Sequence, residues 1–151
     1  MNVNERVSPL SGRIEIMAVH EVTKEKKVVC KQNLVVNGAY SQLARLLSGD
    51  IVNNAITKLD FGTDGDAPTI YEVSLQAPLG IWLSVTDSYP SITSATFSAT
   101  WASAVVNTNG IKEVGLFCED NTLCSRAVFQ EMKKSAGWTW TINWSLYYTL
   151  P

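Results

Sequence analysis

From Trp138 to Thr149 the chain alternates without a break. Trp138, Trp140, Ile142, Trp144, Leu146 and Tyr148 point one way, and Thr139, Thr141, Asn143, Ser145, Tyr147 and Thr149 point the other. A period of two belongs to an extended strand whose successive side chains leave opposite faces. Three indoles on one face, each able to bury about 150–250 Å², require an apolar layer opposite them. The segment is therefore predicted to be a long, half-buried strand at the centre of a β core.

Upstream, short β segments are punctuated by turn residues, with no internal repeat or low-complexity linker. Strands are predicted over Arg13 to Val19 and Lys27 to Val36, joined by the charged turn Glu21 to Lys26, and then over Ile56 to Phe61, Ile81 to Val85, Ile92 to Trp101 and Ile111 to Phe117. Glu119, Asp120 and Asn121 make a tight turn before a further strand from Thr122 to Phe129. One short helix is expected, with Asn37 as its N-cap, Tyr40, Leu43, Ala44, Leu46 and Leu47 at helical spacing, and Gly49 as its stop. Its leucine stripe should be buried against the sheet. Gly62 to Pro68 is dense in turn formers, and Thr69 to Gly80 has two apolar anchors, Val73 and Leu75, but no predicted element. The pattern predicts a mainly β protein: a single-domain, jelly-roll-like β-sandwich over residues 13–151 with one short α-helix, an immunoglobulin-like sandwich being the alternative topology. Residues 1–12, which include Pro9, Ser11 and Gly12 and have no periodicity, are expected to form a flexible N-terminal arm.

A chain of 151 residues with 46% hydrophobic composition supports one core that needs neither metal nor disulfide to fold. Only 17% of residues are charged, and 14 Ser and 13 Thr fill the deficit, as in an ordinary β protein or in one whose polar faces are covered by neighbours in an assembly. The net charge of −2 argues against nucleic acid, which is held by clustered Lys and Arg. No basic residue lies between Lys58 and Lys112, whereas Arg6, Arg13, Lys24, Lys26, Lys27 and Lys31 crowd the first 32 residues. Lysines at 24 to 31 suit the protection of a solvated strand edge. With no signal peptide and no long apolar run, the product is expected to be made and kept in a cytoplasm, with no membrane partner.

Chemistry-bearing motifs are sparse. The one histidine, His20, ends a predicted strand and reads as a surface residue. No GxxxxGK[ST], GxGxxG, HExxH or CxxC pattern occurs, so no catalytic residue, cofactor or metal is expected. Asp60, Asp64 and Asp66 group carboxylates without the spacing of a calcium loop and read as a solvated acidic turn. The tryptophan stripe reads as core rather than as a sugar platform, for which Trp82, Tyr89 or Trp101 are the alternatives. Of the cysteines Cys30, Cys118 and Cys124, the last two flank the predicted hairpin turn. That spacing permits a cross-strand bridge, although free buried thiols are the simpler expectation.

Four segments taken in order form a recognisable layout: Asn33-Leu-Val-Val-Asn-Gly38 before the leucine helix, Ile56-Thr-Lys-Leu-Asp-Phe-Gly-Thr-Asp-Gly65 with Ala67-Pro68, Ile111-Lys-Glu-Val-Gly-Leu-Phe117, and Leu123-Cys-Ser-Arg-Ala-Val-Phe129 before the Trp-rich strand. The layout covers roughly residues 33 to 148 and resembles small structural proteins of tailed bacteriophages. In particular it resembles capsid decoration or cement proteins, with similar modules in tail and fibre proteins. The resemblance implies a jelly-roll-like sandwich that oligomerises, as a homotrimer ahead of a homodimer, and clamps the major capsid protein on the outside of the virion. It implies partner contacts through the arm (Val3, Arg6, Val7, Pro9, Leu10) and the acidic loop (Asp60, Asp64, Asp66). A tail, baseplate or fibre-attachment component is the rival reading, and a carbohydrate-binding module the third.

Overall fold

The computed structural model describes residues 10–51, 54–104 and 108–148. Its elements run β1 (Leu10–His20), β2 (Lys26–Val35), α1 (Asn37–Leu47), β3 (Ile56–Gly62), β4 (Leu83–Ser84), β5 (Thr86–Ser91), β6 (Ser94–Trp101), β7 (Thr108–Cys118), β8 (Leu123–Lys134) and β9 (Trp138–Tyr148). The nine strands lie in the order β4-β3-β7-β8-β2-β1-β9-β6-β5. Every pairing is antiparallel, and β4 comes back against β6, so the sheet is nearly closed. β2 is the joint. Gly12 to Val19 pair with its residues Asn33 to Lys26, while only Leu34 and Val35 reach across to Arg126 and Ser125 of β8.

Side chains from all the long strands fill the enclosed space, β2 contributing only the partly buried Val29. Ile14, Ile16 and Ala18 of β1, Phe97, Ala99 and Trp101 of β6, and Trp140, Ile142 and Trp144 of β9 face Leu59 and Phe61 of β3, Val114 and Leu116 of β7, and Ala127 and Phe129 of β8. Phe61 stacks on Trp101 at 5.0 Å and meets Trp140 edge-on at 5.7 Å, while Trp101 and Trp140 meet edge-on at 5.5 Å. Offset and edge-on pairs of this kind add about 0.5–1.5 kcal/mol each beyond area burial. β9 thus lies between β1 and β6 with its tryptophans inward, as its alternation predicts.

Several local expectations are corrected. Strand pairing begins at Leu10 opposite Tyr148, so Leu10, Ser11 and Gly12, assigned to the arm from the sequence, belong to β1. Asn37 is the first residue of α1 rather than its cap. The buried Val36 takes the cap position without a side-chain hydrogen bond, since valine has no side-chain acceptor; its carbonyl accepts from Ala39 N–H at 3.0 Å, and the Asn37 N–H donates to Ile70 O at 2.8 Å. Gly49, with φ +75°, ends the helix as expected. The leucine stripe is not buried: no residue of α1 is, and Leu46 and Leu47 are 55% and 80% exposed. A strand over Thr86–Ser91, all exposed and containing Pro90, was invisible to an alternation test, and Ile81 to Val85 shrinks to the two residues of β4.

Candidate functional site

Alternation along β3, β7 and β8 sends a second set of side chains outward, and the segment 63–82 covers them. Leu75, one of the two expected anchors, packs with Val36, Phe117 and Leu123, whereas Val73 is 82% exposed. Gly115 makes this possible, since a Cβ there would stand 2.8 Å from the Leu75 side chain. Trp82 closes the far end edge-on to Phe117 at 5.1 Å, with Lys58 Nζ 5.0 Å from its ring centroid.

Beneath the segment lies an ionic cluster. Arg126 is fully buried and donates through Nε to Glu113 (2.7 Å), through Nη1 to Glu72 (2.9 Å) and the Asp66 carbonyl (3.1 Å), and through Nη2 to Asp64 (3.2 Å). Glu113, also fully buried, accepts from the backbone N–H of Gln76 (3.3 Å) and Ala77 (2.8 Å). Gly62, opposite Glu113 in the ladder, leaves room for this carboxylate, because its missing Cβ would stand 2.2 Å from Oε1. Asp60 accepts from Phe61 N–H (2.9 Å), Gly80 N–H (3.0 Å) and Ile81 N–H (2.7 Å). Burial pushes the Asp60 carboxyl above its ordinary value. The three N–H donors oppose that rise and the charge of Glu113 adds to it. Three carboxylates around one guanidinium make a fastening: they bind the covering segment to the sheet through charge-assisted hydrogen bonds.

The residues expected to meet partners are dispersed. Asp60 is buried in β3, Asp64 is half-buried on Arg126, and Asp66 alone has an exposed side chain, its N–H donating to Asp64 Oδ1 at 2.8 Å. Val3, Arg6, Val7 and Pro9 lie outside the described residues. Leu10 is buried at the start of β1 and borders a cleft of about 450 Å³ between α1 and the sheet. Leu43 and Leu46 of α1 form one wall of the cleft, Phe97 and Leu146 the other, with Tyr89 and Tyr148 at its rim. Leu43 and Leu46 of the helix stripe that fails to bury itself therefore face this space, and Leu47 does not line it. Next to it runs β5, the last strand of the sheet order, with Tyr89 at 72% and the following Ile92 at 83% exposure.

His20 accepts from Thr23 N–H at 3.1 Å and meets Trp138 edge-on at 5.2 Å, so it shapes the β1–β2 turn. Trp101, Trp140 and Trp144 are core, while Trp82 and Tyr89 are exposed. Among the described residues no His, Cys, Asp or Glu group is arranged to hold a metal ion, and no helix is long and apolar enough to cross a membrane. Sequence reading missed Arg126. The signal was an arginine and a glutamate inside the largely apolar runs Leu123 to Phe129 and Glu113 to Phe117, where a strand buried on both faces must pair its charges. Comparison with protein-family models, with curated proteins and with solved structures finds no match for this chain.

Proposed function

We propose that this chain is a non-enzymatic virion structural protein, a decoration or cement protein that binds the outer capsid surface of a tailed bacteriophage at junctions of the major capsid protein. The observation that carries the reading is the open sheet edge at β5, where six consecutive exposed residues lead into exposed Ile92. An uncovered edge is a template for strand addition by a neighbouring chain, and exposed aromatic and aliphatic side chains beside it supply the anchors. The buried tryptophans and the Arg126 cluster favour the same reading. Both place large or charged side chains where they hold the fold, as suits a structural module. The finer architecture we propose is a jelly-roll-like sandwich, supported by the core shared between the β5-β6-β9-β1 half and the β4-β3-β7-β8 half. Binding the assembled shell and not its free subunits would stabilise the shell by mass action, and many copies would add through multivalency.

The test is to measure the mass of the protein by light scattering, then titrate it onto virus shells stripped of their minor proteins and count bound copies. Saturation at a number matching the capsid lattice, with a trimeric mass and loss of binding in Tyr89→Glu and Ile92→Glu, is the expected result. Absence of shell binding, with assembly on tail tubes, would replace this reading with a tail component. Glycan binding dependent on Trp82 or Tyr89 would replace it with a carbohydrate-binding module.

A further inference from the structure

Cys118 and Cys124 sit on either side of the β7–β8 turn. Pairing runs Leu116 with Ser125 and then Phe117 with Leu123, so Cys124 is the extra residue of a bulge. Both residues line the cleft beneath α1, and their sulfurs stand 3.1 Å apart. The turn holds them there: Cys118 N–H donates to Thr122 O (3.0 Å), Asn121 N–H donates to Cys118 O (3.0 Å), and Asn121 takes φ +71°. The third thiol, Cys30, is exposed on β2. Two buried thiols in contact, on a turn already closed by the backbone and bordering an open cleft, need little rearrangement to bond.

We propose that Cys118 and Cys124 form a dithiol modification site that closes to an intrachain disulfide by exchange with a small disulfide of the oxidised-glutathione type. Cys118 gives its proton to water, and its thiolate attacks one sulfur of the small disulfide. A mixed disulfide forms on Cys118, and one small thiolate leaves and takes up a proton. Cys124 then loses its proton and attacks the Cys118 sulfur, expelling the second small thiolate, which is protonated in turn. The two cysteines lose two electrons, and the small disulfide becomes two thiols. The order of events follows the contact between the sulfurs: the Cys124 hydrogen bond lowers the Cys118 thiol, while that same contact, and then burial, raises Cys124. Closure ties the hairpin tip beside Thr122, which accepts from Gln42 of α1 at 3.0 Å, so the bond fixes one wall of the cleft. This inference is independent of the virion reading.

The experiment uses the full chain carrying Cys30→Ser, which removes the exposed thiol. The native protein is equilibrated in buffers of rising oxidised-to-reduced glutathione ratio, quenched in acid, unfolded, alkylated with N-ethylmaleimide and weighed by mass spectrometry. The expected result is loss of both maleimide additions together, a cross-linked peptide spanning 118 to 124, and full recovery after dithiothreitol. Adding Cys124→Ser is expected to trap glutathione on Cys118. Retention of both additions in wholly oxidised glutathione, or separate glutathione adducts with no cross-linked peptide, overturns the proposal. The parent protein alone decides this, whether or not the serine variant folds.

Discussion

The two faces of β3, β7 and β8 are buried against opposite kinds of material. Inward, Leu59, Phe61, Val114, Leu116, Ala127 and Phe129 pack on the aromatic side chains of β6 and β9. Outward, Asp60, Glu113 and Arg126 are just as buried but are met by carboxylates and backbone N–H groups of a segment without regular structure. The inner face is tolerant in direction and demanding in volume, because dispersion and apolar burial depend on filling space. The outer face is the reverse. Four directed hydrogen bonds hold Arg126 in one pose, and the same geometry gives an irregular segment a single place to lie. Polar satisfaction is incomplete on both: Trp101 and Trp144 bury indole N–H groups with no acceptor among the described residues, and Glu72, which holds Arg126 through Oε1, buries Oε2 without a donor among them.

The contrast can be broken most directly by deleting one member from each side. Trp140→Ala should cost about 3–5 kcal/mol by opening a cavity. Arg126→Met should cost a similar 3–5 kcal/mol by stranding buried carboxylate charge. Equilibrium urea unfolding measures both, and the second change separates them. Adding Glu113→Leu should restore part of the loss in Arg126→Met, since both partners then become apolar. No second substitution facing Trp140 should do so. Two additive single costs at 113 and 126 would show that the pair is not coupled.

Gly62→Ala is expected to cost about 1–3 kcal/mol, because the new methyl would collide with the Glu113 carboxylate and with Ala77 O. If the loss comes from the outer cluster, the segment 63–82 should gain amide exchange while the β9 amides stay protected.

Asp60→Asn should cost about 1–3 kcal/mol, since the amide presents one acceptor fewer to three backbone donors. Its pH dependence identifies the cause. The folded-state value of Asp60 is raised, so the folded chain holds this proton more tightly than the unfolded one. Stability from this group is then present below the ordinary value of 3.8 and is lost as pH rises through the folded value. The Asn variant lacks that dependence. Its deficit should be largest in acid and shrink toward neutrality in unfolding curves taken across that range. A deficit growing with pH would mean that Asp60 is stabilised as the anion.

The smallest effect expected is at Trp144→Phe, about 1 kcal/mol in thermal unfolding, because lost volume is partly offset by removing an indole N–H without an acceptor.

How far the sequence foretold this arrangement follows from the same contrast. β9 was legible from Trp138 to Tyr148, with Thr149 outside the described residues, because one face is apolar and the other polar, so composition and geometry share a period of two. The β1–β2 hairpin followed from turn chemistry and the C-terminal end of α1 from Gly49, whereas the cap read at Asn37 falls one residue earlier, at Val36. β8 was legible as a strand but not as a site. Both of its faces are buried, alternation vanishes, and Arg126 became visible only when residues 64, 66, 72 and 113, remote in sequence, were brought around it. The acidic loop was misread in the same way. A run of aspartates looks solvated until a buried cation is placed beside it, and Asp60 and Asp64 then turn inward. β5 was missed because its exposed, proline-containing strand carries no apolar face to detect.

The pairing of β1 with β9 sets a timetable for the molecule. Leu10 to His20 are built early, yet their partners Tyr148 to Trp138 come from the last described strand. Until those residues exist, Ile14 and Ile16 have only β2 beside them and lack Trp140 and Trp144. The seam that joins the earliest strand to the latest is a contact of the longest range, and such contacts slow folding and lengthen the exposure of an unmatched edge. A ribosome-arrested chain ending before Trp138 should therefore fail to resist protease, and a longer arrested chain whose Trp138–Tyr148 has cleared the ribosome should resist it.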